Sequence, residues 1–508
     1  MFSYIVRRLI QAVLIVFAAS YLIYILAAYA GDPLETLRGS TAPNKEELIR
    51  LRTEQLKLDV PPPLRYFIWL GGVLKVFTGN LDLGFNNQGQ DVGAVVGTGI
   101  AQSAQLVFAA TFLALFVGVA IGMVTALRQY SGFDYTVTFI AFLFFSLPVF
   151  WIAQLLKMYL AIGFNDFLDD PMLPAGVVIL SGLILGFIWA SIVGGGARKY
   201  FLNFGIATAL FIGGLFAILY TGWLLEPQLG IVGILVLGLA AAYVVVYLTA
   251  GFGNRRVMGA VGTVAVAGAA MWYPMQYLYY YMPTYGAMFI TVAVMVVVAI
   301  ISAYAWGGEE RALSLRAGII TGVISGLLLI VDRVMGAWPD LVAYTNGRPI
   351  ATIGAATPNL TGSVWLESAD RFAHLLLPTI ALMLISLAGW SRYSRASLLE
   401  VMGQDYVRTA RAKGLPERTV IMRHAFRNAM IPIVTLVAFD IGGIISGAAI
   451  TETVFAWNGV GRQFVQAVLS VDLNTVMAIF IITSIVTLVF NLLADLSYSL
   501  LDPRIRVT

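Results

Sequence analysis

The stretch RYSRASLLEVMGQDYVRTARAKGLPERTVIMRHAFRNAMIP (392–432) is polar and basic, and it lies between two strongly apolar runs. Arg392, Arg395, Arg408, Arg411, Lys413, Arg418, Arg423 and Arg427 face only Glu400, Asp405 and Glu417, a larger positive surplus than the +4 of the whole chain. Ala396 to Lys413 is mostly good helix formers, and Gly414 stands where a left-handed residue would end that helix. Pro416 cannot extend the first helix but suits the first turn of a second. There Val420, Ile421 and Met422 begin an apolar side. The positive-inside bias of membrane proteins accounts for charge in a cytoplasmic loop, but not for a helix-glycine-helix elbow with apolar residues on display. The favoured reading is a docking surface for a soluble partner, set against a plain charged loop.

Within this stretch, DYVRTARAKGL (405–415) followed by RHAFRNA (423–429) resembles the EAA loop of bacterial ABC-importer permeases. It is most similar to the branch that imports dipeptides, oligopeptides and nickel. The general pattern is Glu-Ala-Ala with Gly four positions later; Arg408, Thr409, Ala410 and Gly414 occupy those places. The acid is missing, a departure that the peptide branch shares. The resemblance implies an ATPase-coupling loop carried by Asp405, Tyr406, Arg408, Thr409, Ala410, Arg411, Lys413, Gly414, Glu417, Arg423 and His424, seated in a cleft of an ATPase subunit.

Composition sets the class independently. Hydrophobic residues make up 59% of the 508, charged residues 11%, and the mean hydropathy is +0.86. Ordinary globular domains carry about twice that charge. Long apolar runs recur throughout, so the fold class is all-α, a polytopic helical membrane protein. The absence of cysteine excludes disulfides and thiolate metal sites. A pI near 9.1 reflects cytoplasmic loops rather than nucleic-acid binding, since no soluble basic domain is present.

The apolar run Leu9 to Ala30, behind Arg7 and Arg8, is too long for a signal-peptide core and reads as a first transmembrane helix with its N-terminus inside. Residues 31–100 form the longest polar segment. Asn44 and Glu47 suggest a capping box on a helix with Leu48, Leu51 and Leu56 along one face. RYFIWL (65–70) is aromatic and suited to the membrane interface. KLDVP (57–61) and YFIWLGG (66–72) are again similar to the external segment of peptide permeases. Apolar runs follow at 104–127 and 137–162.

The resemblance implies that a fourth family helix comes next, yet HLLLP (374–378) arrives only after about 186 extra residues. That insertion, 177–362, holds six apolar runs near 177–197, 201–225, 229–250, 257–280, 285–306 and 315–337. Arg198 with Lys199, Arg255 with Arg256, and Arg311 with Arg316 fall in every second loop, so the region crosses six times and returns outside. Trp272, Tyr273, Tyr277 and Tyr279 to Tyr281 read as an outer aromatic belt. Helices near 372–392, 431–453 and 476–501 complete twelve, with both termini cytoplasmic. The divisions are 1–176, the insertion 177–362, and 363–508 with the coupling loop at 392–431.

ETVFAWNGVGR (452–462) resembles the permeases' outer segment near the pathway mouth, with Asn458 where the family usually has Pro. Glu452, Trp457, Asn458, Gly459 and Gly461 are its candidates: the glycines allow tight turning and Trp457 suits the interface. A plain interfacial turn fits equally. Asp440, deep in its helix, either lines the substrate route or bonds to a neighbouring helix. Lys157 and the Asp332-Arg333 pair fall near outer helix ends, where long side chains snorkel.

No GxxxxGK(S/T) sequence, HExxH or GxSxG occurs, and His374 and His424 are the two histidines. The combined reading is a permease subunit of an ATP-driven peptide importer, with no cofactor of its own and no metal site. The resemblance implies ATP and Mg on two partner ATPase subunits, a second homologous permease, an extracellular substrate-binding protein and a bacterial inner-membrane setting among lipid. A twelve-helix ion-coupled secondary transporter is the alternative, although its halves should repeat each other and these do not.

Overall fold

The computed structural model describes residues 2–41, 43–444 and 448–501. It is built of helices; among the described residues the single β feature is an isolated bridge between Phe85 and Asp91. Nine helices there are long and apolar enough to cross a membrane, or up to eleven if each of two bent pairs is one span. The helix sought near 431–453 is Phe426–Ile444, part of whose side chains, Asp440 included, lie outside the described set, as do Gly447 and the 502–506 tail.

Two expected spans are broken. The run read as 137–162 is Gly132–Ser146 followed by Val149–Leu168, turned through 103°. Pro148 stands at the break with ψ 140, and the residue before a proline is pushed out of the helical region. The run 257–280 bends by 49° between Arg255–Ala270 and Trp272–Tyr281.

The chain divides into two compact units. The first comprises 1–157, 353–355 and 375–508. Its centre is the crossing of Val92–Leu127 with the long helix Val364–Met402. A Cβ on Gly118 would lie 2.5 Å from Trp390 Cβ, and one on Gly122 would lie 2.6 Å from the Ser391 carbonyl and Ser394 Cβ. Only glycine permits that approach, and close backbone contact is what holds helices together in lipid. Near the start of the unit, Tyr66 packs edge-on to Tyr21 and Tyr24 and its hydroxyl meets Ser20 at 2.8 Å. The Lys45–Gln55 helix begins after Asn44, but no side-chain cap bond forms. Nor does that helix bury a residue, so the expected capping box and apolar face are absent.

The second unit, 158–352 and 356–374, is a bundle of apolar helices. One close seam joins Tyr285–Trp306 to Arg311–Met335. Gly318, Gly322 and Gly326 recur every fourth residue and face Ala299, Met295 and Val292. Asp332 does not snorkel. It is 5% exposed; Oδ1 accepts the Leu229 and Gly230 amides at 2.8 Å each, and Oδ2 accepts the Trp272 indole N–H at 2.6 Å. The carboxylate thereby caps the Gly230–Thr249 helix, whose first amides have no partner within the helix. Arg333 lies over the Trp365 ring. The aromatic belt is only partly outward: Tyr273, Tyr277, Tyr280 and Tyr281 are exposed, whereas Tyr279 is buried and accepts from Thr291.

Asp332→Ala is expected to strand three buried donors and cost about 2–4 kcal/mol, seen as a lower unfolding temperature in detergent. Asp332→Asn, which keeps one acceptor oxygen, should recover part of the loss. An unchanged midpoint in the alanine variant would remove the capping role.

Candidate functional site

The basic stretch folds as an elbow. Val364–Met402 runs further than expected and stops at Gly403; a separate helix, Asp405–Ala412, follows. Gly414 has φ +74°, where a side chain would be strained although no atom lies within 4 Å of its would-be Cβ. Its amide donates to the Arg411 carbonyl at 2.9 Å and the Leu415 amide to that of Ala410 at 3.4 Å, a paired closure that satisfies the helix's last carbonyls. Pro416 precedes the second arm rather than opening it. That arm runs from Glu417–Thr419 through a π turn, Val420–Ala425, directly into Phe426–Ile444. The elbow's second arm and the helix Phe426–Ile444 are thus joined without an intervening loop.

Burial sorts the elbow's residues by their local roles. Val407, Ala410, Val420, Ala425 and Ala429 are buried together with Ala126 and Leu398. Val420 therefore packs inward, while Leu415 and Tyr406 are the apolar side chains on display, at 38% and 42%. Asp405, Arg408, Thr409, Arg411, Lys413 and Arg423 are exposed; His424 is half-buried in the π turn. Arg411 Nη2 meets Glu417 Oε1 at 2.7 Å, with Nε 3.2 Å from both carboxylate oxygens. The hydrogen bond from Arg411 holds the Glu417 carboxyl below its ordinary value, and the same bond holds the guanidinium above its own.

Residues that sequence reasoning did not single out brace this element. Arg395 reaches Asp134 at 2.8 Å, and Asp134 also accepts the Tyr130 amide. Ser397 donates to the Ala429 carbonyl, and Asn428 to the Tyr406 hydroxyl. The i,i+4 spacing of such residues is visible in a sequence; the partner 261 positions away is not.

The outer segment is a folded plug rather than a surface turn. Glu452 is fully buried and accepts from the Ser103 hydroxyl at 2.5 Å and the Arg462 amide at 2.9 Å. Ser103 in turn accepts the Val460 amide at 2.8 Å. A Cβ on Gly459 would overlap both the Glu452 carboxylate and the Ser103 hydroxyl, and one on Gly461 would lie 2.6 Å from Ala449 Cα. Trp457 is 1% exposed and donates to the Gln102 carbonyl at 3.1 Å, so its ring is buried in protein rather than presented to its surroundings; Asn458 is exposed. Lys157 likewise does not snorkel: its ammonium donates to the Val454 carbonyl at 3.0 Å. Among the described residues no group of His, Asp and Glu is placed to hold a metal.

The pH dependence of the elbow has a definite sign. Because Glu417 is depressed below 4.5, the pair's contribution is complete above that pH and is lost as pH falls through the folded-state value. Intrinsic-rate-corrected hydrogen exchange at Leu415 should therefore rise only at acid pH, and should be raised throughout in Glu417→Gln. Identical profiles in the two proteins would show that the turn is held without the pair.

Residues 318–507 match the model of the binding-protein-dependent transport system inner membrane component. The oligopeptide transport system permease OppB of Mycobacterium tuberculosis is 35% identical over 234 residues, covering 40% of this chain and 72% of that protein. The dipeptide permease DppB of Escherichia coli is 39% identical over 176 residues, 34% of this chain and 51% of that protein. The oligopeptide permease AppB of Bacillus subtilis is 41% identical over 137 residues, 27% and 43% of the two. With its apolar helices and this coverage, the chain belongs to the binding-protein-dependent permeases of the bacterial inner membrane, in the oligopeptide and dipeptide branch.

Proposed function

We propose that this chain is one transmembrane subunit of an ATP-driven peptide importer, and that the elbow at 392–431 receives the movement of the ATPase subunits. The observation that carries the reading is the elbow's division of faces. Its apolar side is buried on its own supports, leaving Arg408 outward on the eight-residue helix Asp405–Ala412 and Lys413 and Leu415 outward in the turn that follows it. A partner engaging those side chains gains a rigid lever, because the second arm passes without a loop into Phe426–Ile444. ATP and magnesium bind on the partner ATPases; the nucleotide-driven closure of that pair tilts the lever and alternates access. A second homologous permease completes the pathway, and an external binding protein delivers peptide to the outer side, where the plug around Glu452 lines the mouth.

In the complex with its ATPases, Lys413→Glu reverses an exposed charge and Gly414→Val strains the left-handed turn. Each is expected to lower substrate-stimulated ATPase and uptake by about tenfold, the effect of roughly 1.4 kcal/mol, at normal membrane abundance. Normal coupled turnover in both would overturn the elbow's role.

Region 177–362, set between 1–176 and 363–508, is assigned as a lateral scaffold facing lipid or another membrane protein. Its helices carry many exposed apolar side chains, among them Phe187, Phe201, Leu210, Val232 and Phe289. Removal of 177–362 should leave uptake measurable in reconstituted vesicles. Complete loss with normal assembly would place the region in the pathway instead.

A further inference from the structure

The external segment holds a buried cation without a counter-ion. Arg65, on the Pro62–Leu74 helix, is 8% exposed, and its Nε–H donates to the Tyr24 hydroxyl at 3.1 Å. Among the described residues no carboxylate lies within 4 Å of it, and the Tyr24 hydroxyl is the acceptor its guanidinium meets. A guanidinium presents five N–H donors, and a buried charge left unpaired is costly. Arg65 lines a cavity of about 150 Å³ together with Lys57, Trp69, Tyr24 and Asp82. Lys57 is exposed and likewise makes no ion pair among the described residues. The Trp69 indole nitrogen is buried with no hydrogen-bond partner. Asp82, the one acid on the wall, is engaged elsewhere: it accepts the Gly84 amide at 3.1 Å and lies 3.7 Å from Lys75. With Asp82 turned to Lys75, Arg65 and Lys57 border the cavity without a paired carboxylate.

The surroundings favour one kind of anion. Arg65, Tyr66, Trp69 and Gly72 form the buried side of their helix, while Leu64, Phe67, Ile68 and Leu74 are exposed on the remainder. A short helix with an apolar outer surface lies in the interface of a bilayer, at the depth of the phosphate groups. We propose that this cavity binds the phosphodiester headgroup of an outer-leaflet phospholipid, with Arg65 gripping the phosphate oxygens, the Trp69 N–H adding a donor and Lys57 supplying a second charge at the rim. An arginine fork matches two phosphate oxygens at once, which a lysine cannot do. The lipid anchors the external segment to the membrane plane. The cavity itself does not depend on the importer reading; its assignment to the outer leaflet rests on that reading.

The full chain, extracted from membranes containing phosphatidylglycerol, is delipidated stepwise in mild detergent and the lipid retained per chain is counted by native mass spectrometry. The wild type is expected to keep one phospholipid that resists removal. Arg65→Gln should lower its occupancy by about tenfold and Arg65→Lys restore part of it, as expected for loss of a charge-assisted pair. Lys57→Asn removes only a rim charge at a left-handed position that asparagine tolerates, so folding is preserved; a fall of about threefold is expected there. Excess inorganic phosphate or N-acetyl-trialanine should leave the lipid in place. Equal retention in the wild type and in Lys57→Asn and folded Arg65→Gln would overturn the proposal. Displacement by either soluble anion would also overturn it, by giving the cavity to a free phosphate or a peptide carboxylate.

Discussion

A polar group shut away from water must find its partner within the protein, because its apolar surroundings offer none. Three charged side chains among the described residues obey that constraint. Asp332 is tolerated because two helix-start amides and an indole N–H converge on it. Glu452 is tolerated because Ser103 and the Arg462 amide do the same. Lys157 finds a backbone carbonyl and the face of Phe455. In each case the charge fixes two or three segments that apolar packing alone would leave free to slide.

Apolar packing is correspondingly simple. Lipid chains are as apolar as leucine, so helices adhere where small residues let backbones approach. Gly118 and Gly122 serve that purpose in one unit, and the Gly318, Gly322, Gly326 series in the other. A methyl group at these positions would have to displace backbone or Cβ atoms of the neighbouring helix. Glycine at Gly414 has a different basis: the space is open and the backbone angle is the requirement.

The elbow was the most legible feature. A helix-forming run, a glycine and a proline in that order specify two arms and a left-handed joint from local chemistry alone. The arms' lengths were less legible. The long helix runs on to Met402 and Gly403 divides it from Asp405–Ala412, where one helix from Ala396 to Lys413 was expected, and the second arm merges into the helix sought near 431–453. The broken third span at Pro148 was signalled by its proline but overridden by an unbroken apolar run. Asn44 and Glu47 had the spelling of a capping box without its geometry. Arg65 gave no sign of its isolation, since one cannot know from sequence that no acid will lie near it.

The sequence by itself determined the class, the approximate spans, the basic elbow and the family resemblance, because hydropathy, helix punctuation and motif spacing are all written in neighbouring residues. Only the tertiary structure decided which buried charges are answered and by whom. Trp457, Lys157 and Asp332 were each expected at a membrane boundary and instead turn inward, toward Gln102, Val454 and the Leu229–Gly230 amides. Those partners lie from 102 to 355 residues away, and the energy of a buried polar group depends on the atoms that surround it, which local sequence does not contain.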